Sequence, residues 1–409
     1  MAINIQPIID ELISRLALAD SSDVTSDQIR LEKLVKNAIG TSGVLEYRTV
    51  SQLPKLTDSA SIGYIAFVKD SKNDKYGTFY TSTNFGWERI TLATDSDEDN
   101  IIFPTFLQWP GETYGYGGGG SSPTFQSSYD KFPFATNNNG TNVGSLTVAR
   151  NNGGSASSKS HGYGMAGSSP GITNIIDKFS FATDGNFTDV GDLPATGTGG
   201  PGVSSETNGY YLANAAPTVP PVSKAIQKFP FSSDGNALAV GDLPGANVGE
   251  AAGVSSWKYN NGYTLGGNSA SNPFTTMIQK FSFSNELNGA YNIGYLSVGK
   301  FSQAGISAFE YGYVIGGSLP ALTNKIEKFP FAAEGDAIIQ TGVIDTTGGT
   351  NLGDAAGCSS QIKGYSVGGT STGVAYSNVI MSFPFAVDLS ASDVGDLTVA
   401  RRDAFSWHI

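Results

Sequence analysis

A mainly β fold is predicted for this chain: a six-bladed β-propeller over residues 97–409, preceded by a small α-helical anchor over 1–40 and a small β module over 41–96. Three observations predict it. The composition is rich in glycine and aromatic residues and poor in charge, an aromatic doublet recurs at a step near fifty residues, and a Gly-Tyr signature recurs in phase with it.

The 52 glycines have no collagen-like period, and alongside 23 Phe, 18 Tyr and only 15% charged residues they indicate many short strands joined by tight turns. A hydrophobic fraction of 39% over 409 residues is enough for a real core. The 24 basic against 36 acidic residues leave a net charge of −12 with no basic stripe, so no nucleic-acid partner is expected. Cys358 stands alone, which excludes an internal disulfide and a cysteine zinc site. The N-terminus alternates apolar and polar residues and no run reaches bilayer length, so neither a signal peptide nor membrane insertion is expected.

The doublet Lys-Phe-x-Phe has its first ring at Phe132, Phe179, Phe229, Phe281, Phe329 and Phe383, with Ser382 replacing Lys in the last copy. Phe residues two apart fall on one face of a strand, and that face is expected to pack on the neighbouring blade. Gly-Tyr recurs at Tyr116, Tyr163, Tyr210, Tyr263, Tyr313 and Tyr365; the glycines that follow it are expected to let the innermost strands approach. A third element is Val143-Gly144-Ser145-Leu146, with equivalents at Val190, Val240, Ile293 and Val394 and a weaker copy at Gly342-Val343-Ile344. The fourth, Ala-Ala-Gly-x-Ser-Ser, is whole at Ala251–Ser256 and Ala355–Ser360 and degenerate near Gly202 and Gly305. Four elements per period mean four strands per blade. Asp184-Gly185-Asn186 and Asp234-Gly235-Asn236, after the Phe pair, are hairpin-turn signals.

Gly312-Tyr313-Val314-Ile315-Gly316-Gly317 and Gly364-Tyr365-Ser366-Val367-Gly368-Gly369 resemble the kelch repeat with its double glycine, over roughly three quarters of the chain. The usual kelch Trp is missing, and the Phe pair stands in its place. The run Asn174–Asn186, followed by Asp189-Val190-Gly191-Asp192-Leu193, is similar to repeats in virion structural proteins of tailed phages, marine and cyanobacterial ones in particular. That resemblance implies a bacteriophage virion component such as a tail fibre, collar or head decoration, made in host cytoplasm and serving host attachment.

Before the repeats, Ile5, Ile8, Ile9, Leu12, Ile13 and Leu16 recur at helical spacing and form the candidate assembly interface. A second helix is expected from the capping box Thr25/Gln28 to Gly40. Neither is long enough to be stable alone, so both need a partner: each other, copies of themselves in a homo-oligomer, or other virion proteins. Tyr64–Val68, Gly77–Thr81 and Trp87–Ile90 read as strands of a module that looks like one common in phage fibre and adaptor proteins. The acidic run Thr94–Asn100 reads as a solvated linker or an ordinary loop.

Catalytic chemistry finds little to stand on. Kelch-like copper oxidases need a Tyr, His and Cys cluster, whereas only His161 and His408 exist, assigned to the first and last blades, and Cys358 occupies a slot held by Val254 and Ile306 in other copies. Sialidase-like Asp boxes lack their Ser and Trp, and Arg150, Arg401 and Arg402 are the only arginines after Arg89. Glu112, Glu206, Glu250, Glu286, Glu310, Glu327 and Glu334 show no pairing motif for glycoside hydrolysis. Gly117–Gly120 lacks the Lys-Ser/Thr of a phosphate loop and reads as the first blade's double glycine. The expectation is a non-enzymatic protein with no cofactor and no metal, its propeller meeting a host surface glycan or receptor. The alternatives are a glycan-processing or glycan-binding propeller protein and an intracellular kelch-type adaptor. For closure, Ala404–Trp407 is expected to pair beside Gly115–Gly118, with Phe103–Trp109 as the competitor.

Overall fold

The computed structural model describes residues 111–212, 224–244, 249–268, 274–318, 321–344 and 351–409, together with the backbone of six short strands between residues 45 and 102. The chain divides into two compact units, Met1–Leu107 and Gln108–Ile409. In the first, Leu45–Tyr47, Ile65–Val68, Thr78–Thr83 and Gly86–Arg89 form one sheet in that order. The three strands expected there are present within two residues at each end, and the parallel strand Leu45–Tyr47 is an addition. Ala93–Thr94 pairs with Ile101–Ile102, so Thr94 at the head of the acidic run is in a strand, while 95–100 lie outside the described residues. The apolar stripe from Ile5 to Leu16, the two helices and Phe103–Trp109 lie outside the described residues.

The second unit is a six-bladed propeller of antiparallel sheets, each contributing four strands that step outward from the axis. Blade 2 comprises Gly154–Ser157, His161–Met165, Gly171–Ser180 and Asp184–Gly197. Blade 3 has Gly202–Ser204, Asn208–Leu212, Ala225–Pro230 and Leu238–Asp242; blade 4 has Ala252–Ser256, Asn261–Leu265, Met277–Ser282 and Tyr291–Tyr295. Blade 5 has Ala304–Ser307, Tyr311–Ile315, Lys325–Pro330 and Ile338–Val343; blade 6 has Ala356–Ser359, Lys363–Val367, Ser377–Pro384 and Ser392–Arg401. Blade 1 is composite. Its outer three strands are Tyr114–Gly118, Ser128–Pro133 and Thr141–Ser145, and its inner strand is the C-terminal Phe405–His408. The register is Phe405 with Gly118 and Trp407 with Tyr116, the closure expected from the sequence. Closing a sheet ring this way removes the exposed inner edge that an unfinished first blade would leave.

The order of motifs therefore maps onto strands: Ala-Gly-x-Ser is innermost, Gly-Tyr second, Lys-Phe-x-Phe third and Val-Gly-Asp-Leu outermost. Pairing the second and third strands puts each Gly of Gly-Tyr opposite the first Phe, as in Gly115 with Phe132 and Gly209 with Phe229. A Cβ on any of these glycines would overlap the ring across from it, so the two motifs require one another. The first Phe of every copy is at most 3% exposed, Phe229 included.

The seams between blades repeat one arrangement. Each motif Tyr stacks on the second Phe of the next blade: Tyr116 on Phe181, Tyr163 on Phe231, Tyr210 on Phe283, Tyr263 on Phe331 and Tyr313 on Phe385, at centroid distances of 4.9–5.3 Å. The motif Lys reaches the turn of the next blade, where Lys131 meets Asp184 at 3.0 Å, Lys228 meets Glu286 at 2.8 Å and Lys178 meets Asp234. Partly exposed ion pairs of this kind are worth about 0–1 kcal/mol. Aromatic pairs add about 0.5–1.5 kcal/mol each beyond the apolar area they bury, so the stacked rings contribute more to the seams than these partly exposed lysine pairs do. The glycine of Val-Gly abuts a backbone carbonyl of the next blade's turn, as Gly144 does at Gly185 and Gly191 at Gly235.

Two sequence expectations need correction. The double glycine does not serve the close approach of the innermost strands. It follows the second strand, and Gly119, Gly120, Gly266, Gly267, Gly316, Gly317, Gly368 and Gly369 take φ of 59–106°, the left-handed turn conformation that glycine adopts without strain. His161 lies on the second strand of blade 2, and His408 on the inner strand of blade 1, because the last segment of the chain belongs to the first blade.

Candidate functional site: the axial channel

The inner strands converge on a channel of about 160 Å³, lined by the innermost strand of every blade, four of which carry the fourth sequence element. Along an inner strand alternate side chains face the lumen, and those between them face the core. Core positions carry Ala156, Val203, Val254, Ile306, Cys358 and Trp407, all at most 3% exposed. Cys358 thus fills an aliphatic slot as its repeat position indicated, and burial pushes its thiol above the ordinary range.

One level of the lumen carries Ser157, Ser204, Ser255, Ser307, Ser359 and His408. These groups link neighbouring blades. The N–H of Ser157 donates to Ser204 Oγ at 2.9 Å, that of Ser204 to Ser255 Oγ at 2.9 Å, and that of Ser255 to Ser307 Oγ at 3.0 Å. His408 N–H donates to Ser157 Oγ at 3.3 Å, and Ser359 N–H approaches His408 Nδ1 at 3.5 Å. Enclosure by protein pushes the His408 imidazole down to about 4, so it is neutral near pH 7. With Nδ1 facing the Ser359 N–H, the neutral ring that can accept there carries its proton on Nε2.

At the start of the inner strands a second circle closes through the backbone. Asn152 N–H donates to Asp403 O, Asp403 to Asp354, Asp354 to Ser302, Ser302 to Glu250, Glu250 to Gly199 and Gly199 to Asn152, at 2.6–2.9 Å. All six residues have φ of 51–70°. Left-handed backbone is tolerated by Gly, Asn and Asp and disfavoured for Glu and Ser, so the circle holds Glu250 and Ser302 against their preference. Three members are carboxylates. Burial, then the neighbouring Asp354, pushes Asp403 up to about 7, with Arg402 opposing. Glu250 is raised by burial and then by Asp354, while Asn268 donates to it at 2.9 Å.

The remaining carboxylates singled out in the sequence are engaged along the seams and surface. Glu206 pairs with Lys159, Glu286 with Lys228, Glu310 with Lys258, Glu334 with Lys280, and Glu112 accepts from Gln361. Glu327 forms a buried pair with Lys300 at 2.6 Å. Gly117 and Gly118 lie in the second strand of blade 1, and Gly119 and Gly120 form its double-glycine turn. His161 accepts or donates at 2.8 Å with Ser160, and its imidazole is lowered by burial and then by Lys178. His161, His408 and Cys358 occupy different strands of three blades, and no group of three metal-binding side chains exists among the described residues.

Sequence reading missed a set of internal ion pairs. Arg150 Nη1 and Nη2 meet Asp177 at 3.0 and 2.5 Å with both side chains fully buried; Arg401 lies 3.9 Å from Asp130 and donates to the carbonyls of Gly119 and Ser128. The base sits four residues after the Leu of the outer-strand motif and the acid one residue before the motif Lys of the next blade. Blades 1, 2 and 5 receive a base and carry Asp130, Asp177 or Glu327. At the positions aligned with the base the other copies have Gly197, Asn247 or Gly348 in the sequence, and blades 3, 4 and 6 carry Gln227, Gln279 or Met381 in place of the acid. Base and acid are kept or lost together, a signal that was readable once the copies were aligned.

The fold defines a closed six-bladed β-propeller with a hydroxyl-lined axial channel. Neither a protein-family model nor a curated protein matches the chain.

Proposed function

We propose that the chain is a structural protein of a tailed-phage virion, a fibre, collar or head-decoration component, with the N-terminal segment as its attachment and the propeller as a non-enzymatic display head for host-surface binding. The observation that carries this reading is that the repeat-specific polar groups serve the ring itself: motif lysines bind the next blade's turns, and Arg150, Lys300 and Arg401 bind within the seams. A ring that spends its charges on closure stands as a self-sufficient head. The kelch-like double glycines and the resemblance of the run Asn174–Asn186 to phage virion repeats support the same reading.

The test compares incorporation into particles of the full chain and of a chain beginning at Gln108. Loss of incorporation with retention of a folded propeller is the expected outcome. Incorporation of the shortened chain at the full-length level would refute attachment through the first 107 residues, and absence of the full chain from purified particles would refute the virion role.

A glycan-binding surface has one feature in its favour. Tyr291 and Tyr295, 48% and 50% exposed on the outer strand of blade 4, sit beside Glu334 and Asp336 of blade 5, an aromatic face next to hydrogen-bonding groups that suits a sugar ring. Glycan-array binding lost in Tyr291→Ala and Tyr295→Ala is the outcome that would support it.

A further inference from the structure

We infer that the axial channel is a binding site for a monovalent, weakly hydrated anion of halide or nitrate size, seated in the circle of Ser157, Ser204, Ser255, Ser307, Ser359 and His408. A serine hydroxyl has one proton to donate and two lone pairs. The oxygens of Ser157, Ser204, Ser255 and Ser307 each accept an N–H from the adjacent inner strand, which leaves each proton to be used elsewhere. No protein acceptor takes them among the described residues. At the next level Ser155 is in the same position, its oxygen accepting from Ser406 N–H at 3.1 Å.

Ser359 supplies an independent observation. It is 0% exposed, lines the same channel, and its Oγ has no hydrogen-bond partner. A buried hydroxyl left unpaired costs about 1–3 kcal/mol, so a circle with one such group and several unused protons is built around something absent from its own atoms. His408 Nε2–H adds a donor in the same circle.

The ligand class follows from the walls. Among the described residues no Asp, Glu, Lys or Arg lines the channel. Five hydroxyls and an imidazole bring donors to this level, and the wall carries no fixed negative charge there, although at the next level Ser406 Oγ donates to Gly357 O at 2.6 Å. Water accepts from such donors but must also place its own two protons, whereas an anion needs only donors. Without a cation in the wall a doubly charged oxyanion would lose more hydration than neutral hydroxyls return, which selects a singly charged ion with a small hydration cost. The channel volume of about 160 Å³ admits an ion of that size with accompanying water.

The test uses the full chain and bromide. Crystals grown in sodium bromide are measured at the bromine absorption edge, and an anomalous peak on the axis at the level of Ser204 and Ser255 is expected. In parallel, melting temperature is followed on titrating bromide against gluconate at constant ionic strength. A saturable rise of about 2–4 °C is expected in the parent and none in Ser204→Ala/Ser255→Ala. That variant also strips two N–H groups of their acceptors, so the readout is each protein's bromide-minus-gluconate difference and not its absolute stability. Glu206→Gln, on the exposed surface, should keep the full difference. Only water on the axis with no anomalous peak, or an equal bromide effect in parent and double variant, overturns the assignment.

Discussion

Tyr365 in the last blade stacks on Phe134 in the first at a centroid distance of 4.7 Å, the contact that Tyr116 makes with Phe181 one seam further on. The seam between the two ends of the chain is therefore built like every other. Blades 6 and 1 meet through the same residue types that join blades linked by continuous backbone, and the ring has no weak sector of aromatic packing.

Closure depends on the C-terminal strand. Trp407 is 0% exposed, and its indole N–H donates to Tyr163 O at 2.7 Å in blade 2. Trp407→Ala is expected to destabilise the propeller by about 3–5 kcal/mol in denaturant unfolding, as a buried aromatic truncation does.

The glycine–phenylalanine pairing makes a non-additive prediction. Gly209→Ala drives a methyl into the Phe229 ring and should cost about 1–3 kcal/mol, while Phe229→Ala alone should cost about 3–5 kcal/mol. In the Phe229→Ala background the alanine at 209 loses that clash and keeps only a contact of 3.0 Å with the edge of the Phe231 ring, so its added cost should fall well below its cost in the parent. A double-mutant cycle that came out additive would contradict the pairing.

The buried ion pairs make a rescue prediction. Arg150→Met leaves the Asp177 carboxylate buried without its cation and should cost about 3–5 kcal/mol. Combining it with Asp177→Gln reproduces the residue class found in blades 3 and 4, where Gln227 and Gln279 stand without a base, and should recover most of the loss. Equilibrium unfolding of the parent, single and double variants decides it.

Two groups of the C-terminal segment, Asp403 in the backbone circle and His408 on the inner strand, oppose one another in their pH dependence. Asp403 titrates near 4 when unfolded and at about 7 when folded, so between these values the folded state holds a proton the unfolded state has lost, and stability falls as pH rises. His408 titrates at about 4 when folded and near 6.5 when unfolded, so in that window the unfolded state holds the proton, and stability is lost as pH falls. The slopes offset in the parent. Asp403→Asn, which keeps a residue tolerant of the left-handed backbone, should reveal a protein that weakens on acidification from pH 6.5 to 4. His408→Gln should reveal the reverse trend, strengthening over the same range.

The period, the blade number, the four strands per blade and the closing role of Ala404–Trp407 were legible in the sequence, whereas the innermost place was wrongly given to the Gly-Tyr motif. These depend on local pattern: Phe residues two apart define a strand face, Asp-Gly-Asn defines a turn, and six copies in phase define six units. The tertiary structure alone decided what each repeated residue touches. Gly115 looks like any turn glycine until its strand is set against Phe132, and the glycines after Gly-Tyr prove to be turn residues because the inner edge belongs to another motif. Asp403 joins the same hydrogen-bonded circle as Asn152, and His408 joins Ser157, across more than two hundred residues of chain. Such partners are set by ring closure, which joins residues far apart in the chain, so the pattern along one strand does not name the residue across from it.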